Sequence, residues 1–536
     1  MKAKTMHYRM LTLLLISMML FGLNGTVAQA ATTTVACSGG GTFTITNNVV
    51  SAQNGCTGIA TVPTGVTSIG SNAFYNARAL TAITIPAGVT SIGENAFGDA
   101  ISLATVTFAA GSQLKSIGQA AFFGASALTA ITIPAGVTSI GEFAFYNASS
   151  LATVTFETGS KLTSIGENTF KNASALTAIT IPAEVTSIGM SAFEGASALT
   201  TITFAAGSKL TSIGLGAFAG ASALSAITIH AGVTSIGVSA FAGASSLATV
   251  TFAAGSKLTS IGPEAFADAS ALSAITIPAG VKSIGAGAFT RASALTAITI
   301  PAGVTSIEAS AFYNATSLAT VTFAPDSKLT SIGDYAFSGA SALTAITIPT
   351  GVTSIGYYAF KNASSLATVT FATGSKLKSI GASAFKDTSA LTAITIPAGV
   401  TSIGANTFAG ASALTAITIP AGVTSIGAGA FYNASSLATV TIAPVSKLTS
   451  IGEDAFARVM ALTAITIPAK VTSIGANAFY DATSLKSVYF LGNAPKTIAS
   501  NAFSGVTSAT AYIRPNATGY PAVGSLMNGL TIAVGV

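Results

Sequence analysis

From residue 57 to residue 507 the chain alternates short apolar bursts with short polar ones, and the alternation recurs at a fixed step. A leucine opens each period, from Leu80, Leu103 and Leu128 through Leu462 and Leu485, at intervals of 23 or 25 residues. The fourteen residues Leu80–Gly93, "LTAITIPAGVTSIG", return letter for letter from Leu128, Leu391 and Leu414. The short unit reads LTAITIPAGVTSIGxxAFxxAS. The long unit reads LATVTFAAGSKLTSIGxxAFxxAS and carries two extra residues after its first apolar burst. The two mostly alternate into a 48-residue double unit, with short units in succession at Leu272–Leu295 and at Leu391–Leu414. A period of roughly 20–50 residues signifies a solenoid, propeller or array.

Each unit resolves into elements. "LTAITI" predicts a strand with Leu80, Ile83 and Ile85 as apolar anchors. Pro86 ends it, having no N–H to give to a ladder. "PAG" predicts a type I turn with proline second and glycine fourth. Glu184 and Lys470 stand in place of that glycine, so a positive φ is not required there. "VTSI" predicts a second extended piece. Glycine follows it in nearly every unit, Glu308 and Ala499 being the exceptions. The segment around each phenylalanine predicts about a turn of helix. The residue two after that Phe, from Phe74 to Phe503, is Gly, Asn or Asp in all units but two, which carry Arg291 and Arg458. These are the residues that best accept a left-handed backbone, so the position reads as a helix C-cap. Capping also accounts for triplets such as Asn147-Ala-Ser149 and Asn314-Ala-Thr316 without glycosylation.

A 23-residue unit cannot bury its own Leu, Ile, Val and Phe, but stacked on a neighbour it can. The expected fold is therefore an α/β repeat solenoid. It has parallel β-strands along one face, short helical turns, and Phe74, Phe97, Phe122 and their successors as an internal stack. Nineteen coils at ~4.8 Å give a body of roughly 90 Å. Both open ends need covers. Residues 31–56 are expected to form the N-terminal cap, with "TFTITNNVVSA" as a hairpin. Residues 57–507 form the solenoid and 508–536 the C-terminal cap.

Composition narrows the setting. Charged residues are 7% of the chain, against about 25% in an ordinary soluble domain. Beyond residue 30 no apolar run approaches the ~20 residues that span a bilayer. Residues 1–30 combine Lys2, Lys4 and Arg9, the apolar "LTLLLISMMLFGL" and an Ala28-x-Ala30 site, the pattern of a Sec-type signal peptide cleaved after Ala30. Its apolar core is short for a membrane anchor, the alternative reading. Cleavage lowers the net charge from +6 by the three cations lost, which leaves no case for a nucleic-acid partner. In an exported chain Cys37 and Cys56 read as one disulfide closing the N-terminal cap, the alternative being two free thiols.

Candidate chemistry is sparse. His230 is the one histidine after residue 30 and stands where neighbouring units have proline. A Ser-His-Asp arrangement or a multi-histidine metal site would have to be built on it, and it reads better as a tolerated loop substitution. Glu142 and Glu167 occupy one slot in adjacent coils, where stacking would bring them to ~5 Å, the spacing of a retaining glycosidase pair. Gln119 and Met190 fill that slot on either side, which makes it a solvent-facing position that accepts anything. There is no P-loop and no dinucleotide fingerprint. No enzyme activity, cofactor or metal is expected.

Two surface arrays remain. Lys161, Lys209, Lys257, Lys328, Lys376 and Lys447 all occupy the "SKL" loop of long units. Two coils apart they would lie ~10 Å from one another, a basic ridge for anionic glycans or simply solubilising charge. The fourth residue after the unit leucine is threonine from Thr84, Thr107, Thr132, Thr155, Thr180 and Thr203 onward to Thr466. Pointing outward, it would line one face with hydroxyls. β-Propensity and threonine stacking explain such a row as well.

The unit LxxIxIPxxVTSIGxxAFxxAS, over about residues 57–510, resembles the BspA-like class of bacterial leucine-rich repeats. The ending "LGNAPKTIASNAFSG" followed by "AYIRPNATGY" is similar to the way such arrays finish. The family often has cysteine three residues after the phenylalanine. Here Ala77, Ala125 and Ala148 stand there, a small residue serving either way. The resemblance implies a curved solenoid, a secreted or surface location, and adhesion or extracellular ligand binding. The expected partner is an extracellular protein or polysaccharide, engaged by many equivalent weak sites. The alternatives are a self-associating surface-layer protein and a threonine-ladder ice-binding protein.

Overall fold

The computed structural model describes residues 30–535. The expected signal peptide, apart from Ala30, lies outside the described residues. The chain forms a parallel β-solenoid of about 21 turns. Each coil contributes a strand of about four residues, such as Ala130–Ile133 or Thr153–Phe156, and a two-residue strand, such as Ser139–Ile140. Strands of each kind stack on their counterparts in neighbouring coils and make two parallel faces. In Ala130–Ile133 the side chains of Ile131 and Ile133 are buried, while Ala130 and Thr132 face out, as a period of two demands.

The proline turn sits one residue later than its sequence suggests. The Val89 amide donates to the Pro86 carbonyl at 3.2 Å, so proline is first in the turn and glycine third. Where a long unit follows, the preceding carbonyl is used across the coils, that of Ile85 accepting the amide of Ala109 at 2.9 Å.

The expected short helical turns are absent among the described residues. Around Phe74 alternate amides leave the coil: those of Asn72, Phe74 and Asn76 donate to Glu94, Ala96 and Gly98 of the next coil, at 2.7–2.8 Å. Only the amides between them close local bonds, to carbonyls three residues back. A helix would direct every amide along its own axis; here half are taken by the neighbour. All nineteen residues two after the phenylalanine, from Asn76 to Gly505, are left-handed. That part of the expectation holds, but the residue ends no helix. A second left-handed residue, two before the Phe, recurs in nearly every coil, as at Asn72 (φ 59°) and Asn95 (φ 50°), and two such residues four positions apart preclude a helix.

The core is continuous. The nineteen phenylalanines from Phe74 to Phe503 are all fully buried and stack in one column. Successive ring centroids lie 5.0–5.6 Å apart and the planes are near parallel, within the range of favourable offset stacking. The unit leucines, the valine of each proline turn and the isoleucine of each two-residue strand fill the rest.

Both ends continue the stack. Gly40–Thr46 pairs antiparallel with Val49–Thr61 through a turn in which Asn47 and Asn48 both have positive φ, the geometry a tight hairpin favours. The far part of Val49–Thr61 joins the parallel stack against Leu80–Ile85. Cys37 and Cys56 form a disulfide with Cα atoms 5.5 Å apart. At the other end Thr510–Ile513 and Leu530–Val534 add two more parallel strands, and Leu526–Met527 folds back on the last through Asn528-Gly529.

Candidate functional site

The strand face carries the most regular chemistry. Threonines stand opposite one another in register: Thr84 with Thr107, Thr132 with Thr155, Thr180 with Thr203. The row continues at Thr228–Thr251, Thr299–Thr322 and Thr347–Thr370. These residues are exposed, except that Thr84, beside the N-terminal cap, is half-buried. The second outward file alternates alanine and threonine, as with Ala130 opposite Thr153. No charged residue stands in any strand of this face from Leu80 to Ile467.

The face is corrugated rather than flat. From a short unit to the following long one, strands pair over all four residues, as in Ala297–Ile300 with Thr320–Phe323. From a long unit to the following short one, pairing falls to one or two residues, as at Thr320–Ala345. Between Thr201–Phe204 and Ala226–Ile229 the sheet breaks. The two extra residues of the long unit carry the end of its strand away from the next coil. A cleft opens at these junctions. One of about 620 Å³ is lined by Thr322, Phe323, Asp326, Thr347 and Pro349. Others of about 520 and 550 Å³ repeat the arrangement around Thr370 and Thr251.

The six lysines are exposed, and what sets their place is the backbone. The amides of Lys161, Lys209, Lys257, Lys328, Lys376 and Lys447 each donate to the proline-turn carbonyl of the preceding short unit, at 2.8–3.1 Å. Each long loop is thereby docked on its short partner. The ridge is uneven, because consecutive short units set Lys257 from Lys328, and Lys376 from Lys447, three coils apart. Lys209 also pairs with Glu184 at 2.6 Å; both side chains are about half exposed, so the pair adds little stability.

The other candidates come together weakly. Glu142 is exposed and Glu167 half-buried. One Glu167 carboxylate oxygen accepts the Asn168 side-chain amide at 3.0 Å, and neither acid lines the clefts above. His230 accepts the Gly232 amide on Nδ1 at 3.1 Å and edges a cleft of about 410 Å³ beside Thr203 and Thr228. It fixes its own turn as proline does elsewhere. No group of three or more His, Cys, Asp or Glu able to hold a metal occurs among the described residues, and no helix there is long and apolar enough to cross a membrane. Sequence reasoning missed the clefts. Their signal was the alternation of 23 and 25 residues, which marks where the ladder must open.

The family model described as "BspA type Leucine rich repeat region (6 copies)" matches residues 44–162, 163–295, 259–389 and 378–510. No curated protein matches the chain. Among solved structures, a leucine-rich repeat protein from Bacteroides ovatus is 27% identical, with 75% of this chain and 82% of that one covered at a TM-score of 0.44. A leucine rich cell surface protein from Faecalibacterium prausnitzii is 23% identical over 89% of this chain and 98% of that one, TM-score 0.33. The pneumococcal vaccine antigen PcpA is 18% identical over 90% and 94%, TM-score 0.38.

Proposed function

The chain belongs to the BspA-type leucine-rich repeat family, and we propose that it is an exported, non-catalytic binding protein that acts in adhesion through its strand face. The observation that carries this reading is the in-register threonine row on a face without charge, notched by clefts that recur along the solenoid. Each cleft offers hydroxyls and backbone to a ligand but little enclosure. Useful affinity then requires a ligand that enters several at once, a polymer or an extended protein surface, held by avidity. The basic start of the chain, its apolar core and Ala28-x-Ala30 support export. Corrugation favours such a ligand over an ice plane, which needs a flat, regular array.

The test is a glycan and matrix-protein array probed with residues 31–536 at low and high salt. Binding that persists in salt is expected, because the strands of this face carry no charge and Asp326 is the one charged residue lining the three clefts at Thr322, Thr370 and Thr251. Binding that vanishes in salt would move the function to the lysine ridge. An array without a hit, from well-folded protein, would remove adhesion in favour of self-association.

A further inference from the structure

We propose that the clefts of the strand face take an uncharged, proline-rich polypeptide segment in the polyproline II conformation, laid along the solenoid axis with every third residue in a cleft. The inference rests on the strand-face reading above and names its ligand.

The argument begins with spacing. Clefts open where a long unit meets the following short one, and those at Thr203, Thr251, Thr322 and Thr370 form two pairs. Members of a pair stand two coils apart. Between Thr322 and Thr370 the strands Thr320–Phe323, Ala345–Ile348 and Thr368–Phe371 pair in that order, and two strand spacings make about 9.6 Å. A polyproline II chain has three residues per turn at a rise of ~3.1 Å, so it returns a side chain to the same side every ~9.3 Å. An extended strand returns one every ~6.6 Å and would miss the second cleft.

The lining fits the same occupant. Each cleft is bordered by an exposed alanine of the short unit, Ala226, Ala274, Ala345 or Ala393, where the long unit has threonine, and so keeps its mouth open. Three of the clefts are lined by both a half-buried phenylalanine and a half-buried proline: Phe252 and Pro278, Phe323 and Pro349, Phe371 and Pro397. Grooves with aromatic walls suit polyproline II ligands. The polar side chains are the hydroxyls of threonine and serine, with Asp326 and His230 as the exceptions. A hydroxyl has one hydrogen to donate, and a polyproline II chain makes no internal hydrogen bonds, so its carbonyls are free to accept. An α-helix spends its carbonyls on itself. A sugar ring presents donors and acceptors together, and the amide and carboxylate side chains that satisfy two at once are all but missing here. Charge agrees: no strand of this face from Leu80 to Ile467 carries any, so a charged ligand would lose water without gaining a partner.

The test titrates residues 31–536 by calorimetry with two capped, uncharged dodecapeptides, Leu-Pro-Pro repeated four times and Leu-Pro-Pro-Pro repeated three times. Both favour polyproline II, but only the first returns its leucines to one side at each turn. The expected result is saturable, salt-resistant binding of the first, at least tenfold tighter than of the second. Ala226→Lys, Ala274→Lys, Ala345→Lys and Ala393→Lys combined, all at exposed positions, are expected to weaken it at least tenfold, while serine at the same four positions retains it. The peptide comparison is made on the wild type and stands whether or not the lysine variant folds. No saturable binding, equal binding of the two peptides, undiminished binding by a folded lysine variant, or tighter binding of cellohexaose than of the first peptide would each overturn the proposal. A salt-resistant array hit that the lysine variant loses, with neither peptide bound, would leave the strand face as the binding face and remove only this occupant; an array without a hit would remove both.

Discussion

At the scale of the residue, the repeat is held by what cannot be added. The glycine after "VTSI" looks in sequence like a turn residue, but its backbone has no need of a positive φ. It is glycine because the coil before it is too close. A Cβ at Gly237 would lie 2.5 Å from the Gly214 carbonyl carbon and 2.7 Å from the Leu215 nitrogen, and those atoms are backbone, which cannot swing aside. Where Glu308 replaces this glycine, only Ile284–Ile307 remains of the two-residue pairing. Gly237→Ala is therefore expected to destabilise by about 1–3 kcal/mol, read as a fall in the urea midpoint. An unchanged midpoint would mean the coils part more freely than the contact distances allow. The left-handed residue after each phenylalanine was legible, because only Gly, Asn and Asp accept that backbone cheaply. The one before it was not, because Ala120, Phe143 and Tyr335 occupy it as well, and such a mixture carries no conformational signal.

At the scale of the element, the working unit is the short–long doublet. The strands, their inward anchors and the phenylalanine column could be read from periodicity, since burial selects the same side chain at the same place in every coil. The helix could not be excluded that way. Whether an amide turns inward to its own coil or outward to the next is a tertiary choice, and the apolar pattern is the same for both. The doublet comes from full strand register and from the lysine amides docked on the proline turn before them. Short units already sit side by side at Leu272–Leu295, whereas a long unit beside another long unit would leave the second loop without its turn. Deleting residues 151–175 joins two short units and is expected to leave the thermal midpoint within a few degrees. Deleting residues 128–150 joins two long units, and loss of the docking bonds, at about 1 kcal/mol each, together with the strand pairing, should lower it clearly further. Equal midpoints for the two deletions would dissolve the doublet as a unit.

At the scale of the whole molecule, the solenoid is a one-dimensional stack whose stability is local and summed along its length, so any weak rung divides it. The sheet of two-residue strands breaks between Ser139–Ile140 and Ser164–Ile165, and again between Ser379–Ile380 and Ser402–Ile403. In the coil that follows each break, threonine replaces the alanine before the core phenylalanine. Thr169 and Thr407 are fully buried, and their hydroxyls donate to the Gly166 and Gly404 carbonyls at 3.0 and 2.9 Å. The glycine stands further off its neighbour there: a Cβ at Gly166 would lie 3.5 Å from the nearest atom of the preceding coil, the Ile140 carbonyl oxygen, against 2.4 Å from the Gln119 nitrogen at Gly141. The amides of Gly141 and Gly189 are bonded to the preceding coil at 2.8 Å. Gly166 and Gly404 should then exchange their amide protons faster than Gly141 and Gly189, because opening there breaks fewer rungs. Thr169→Ala should close the first seam and slow exchange at Gly166 without slowing it at Gly404. If exchange at Gly166 is already as slow as at Gly141, or if the alanine variant leaves it unchanged, the seams are only irregularities of pairing and the stack opens from its two ends alone.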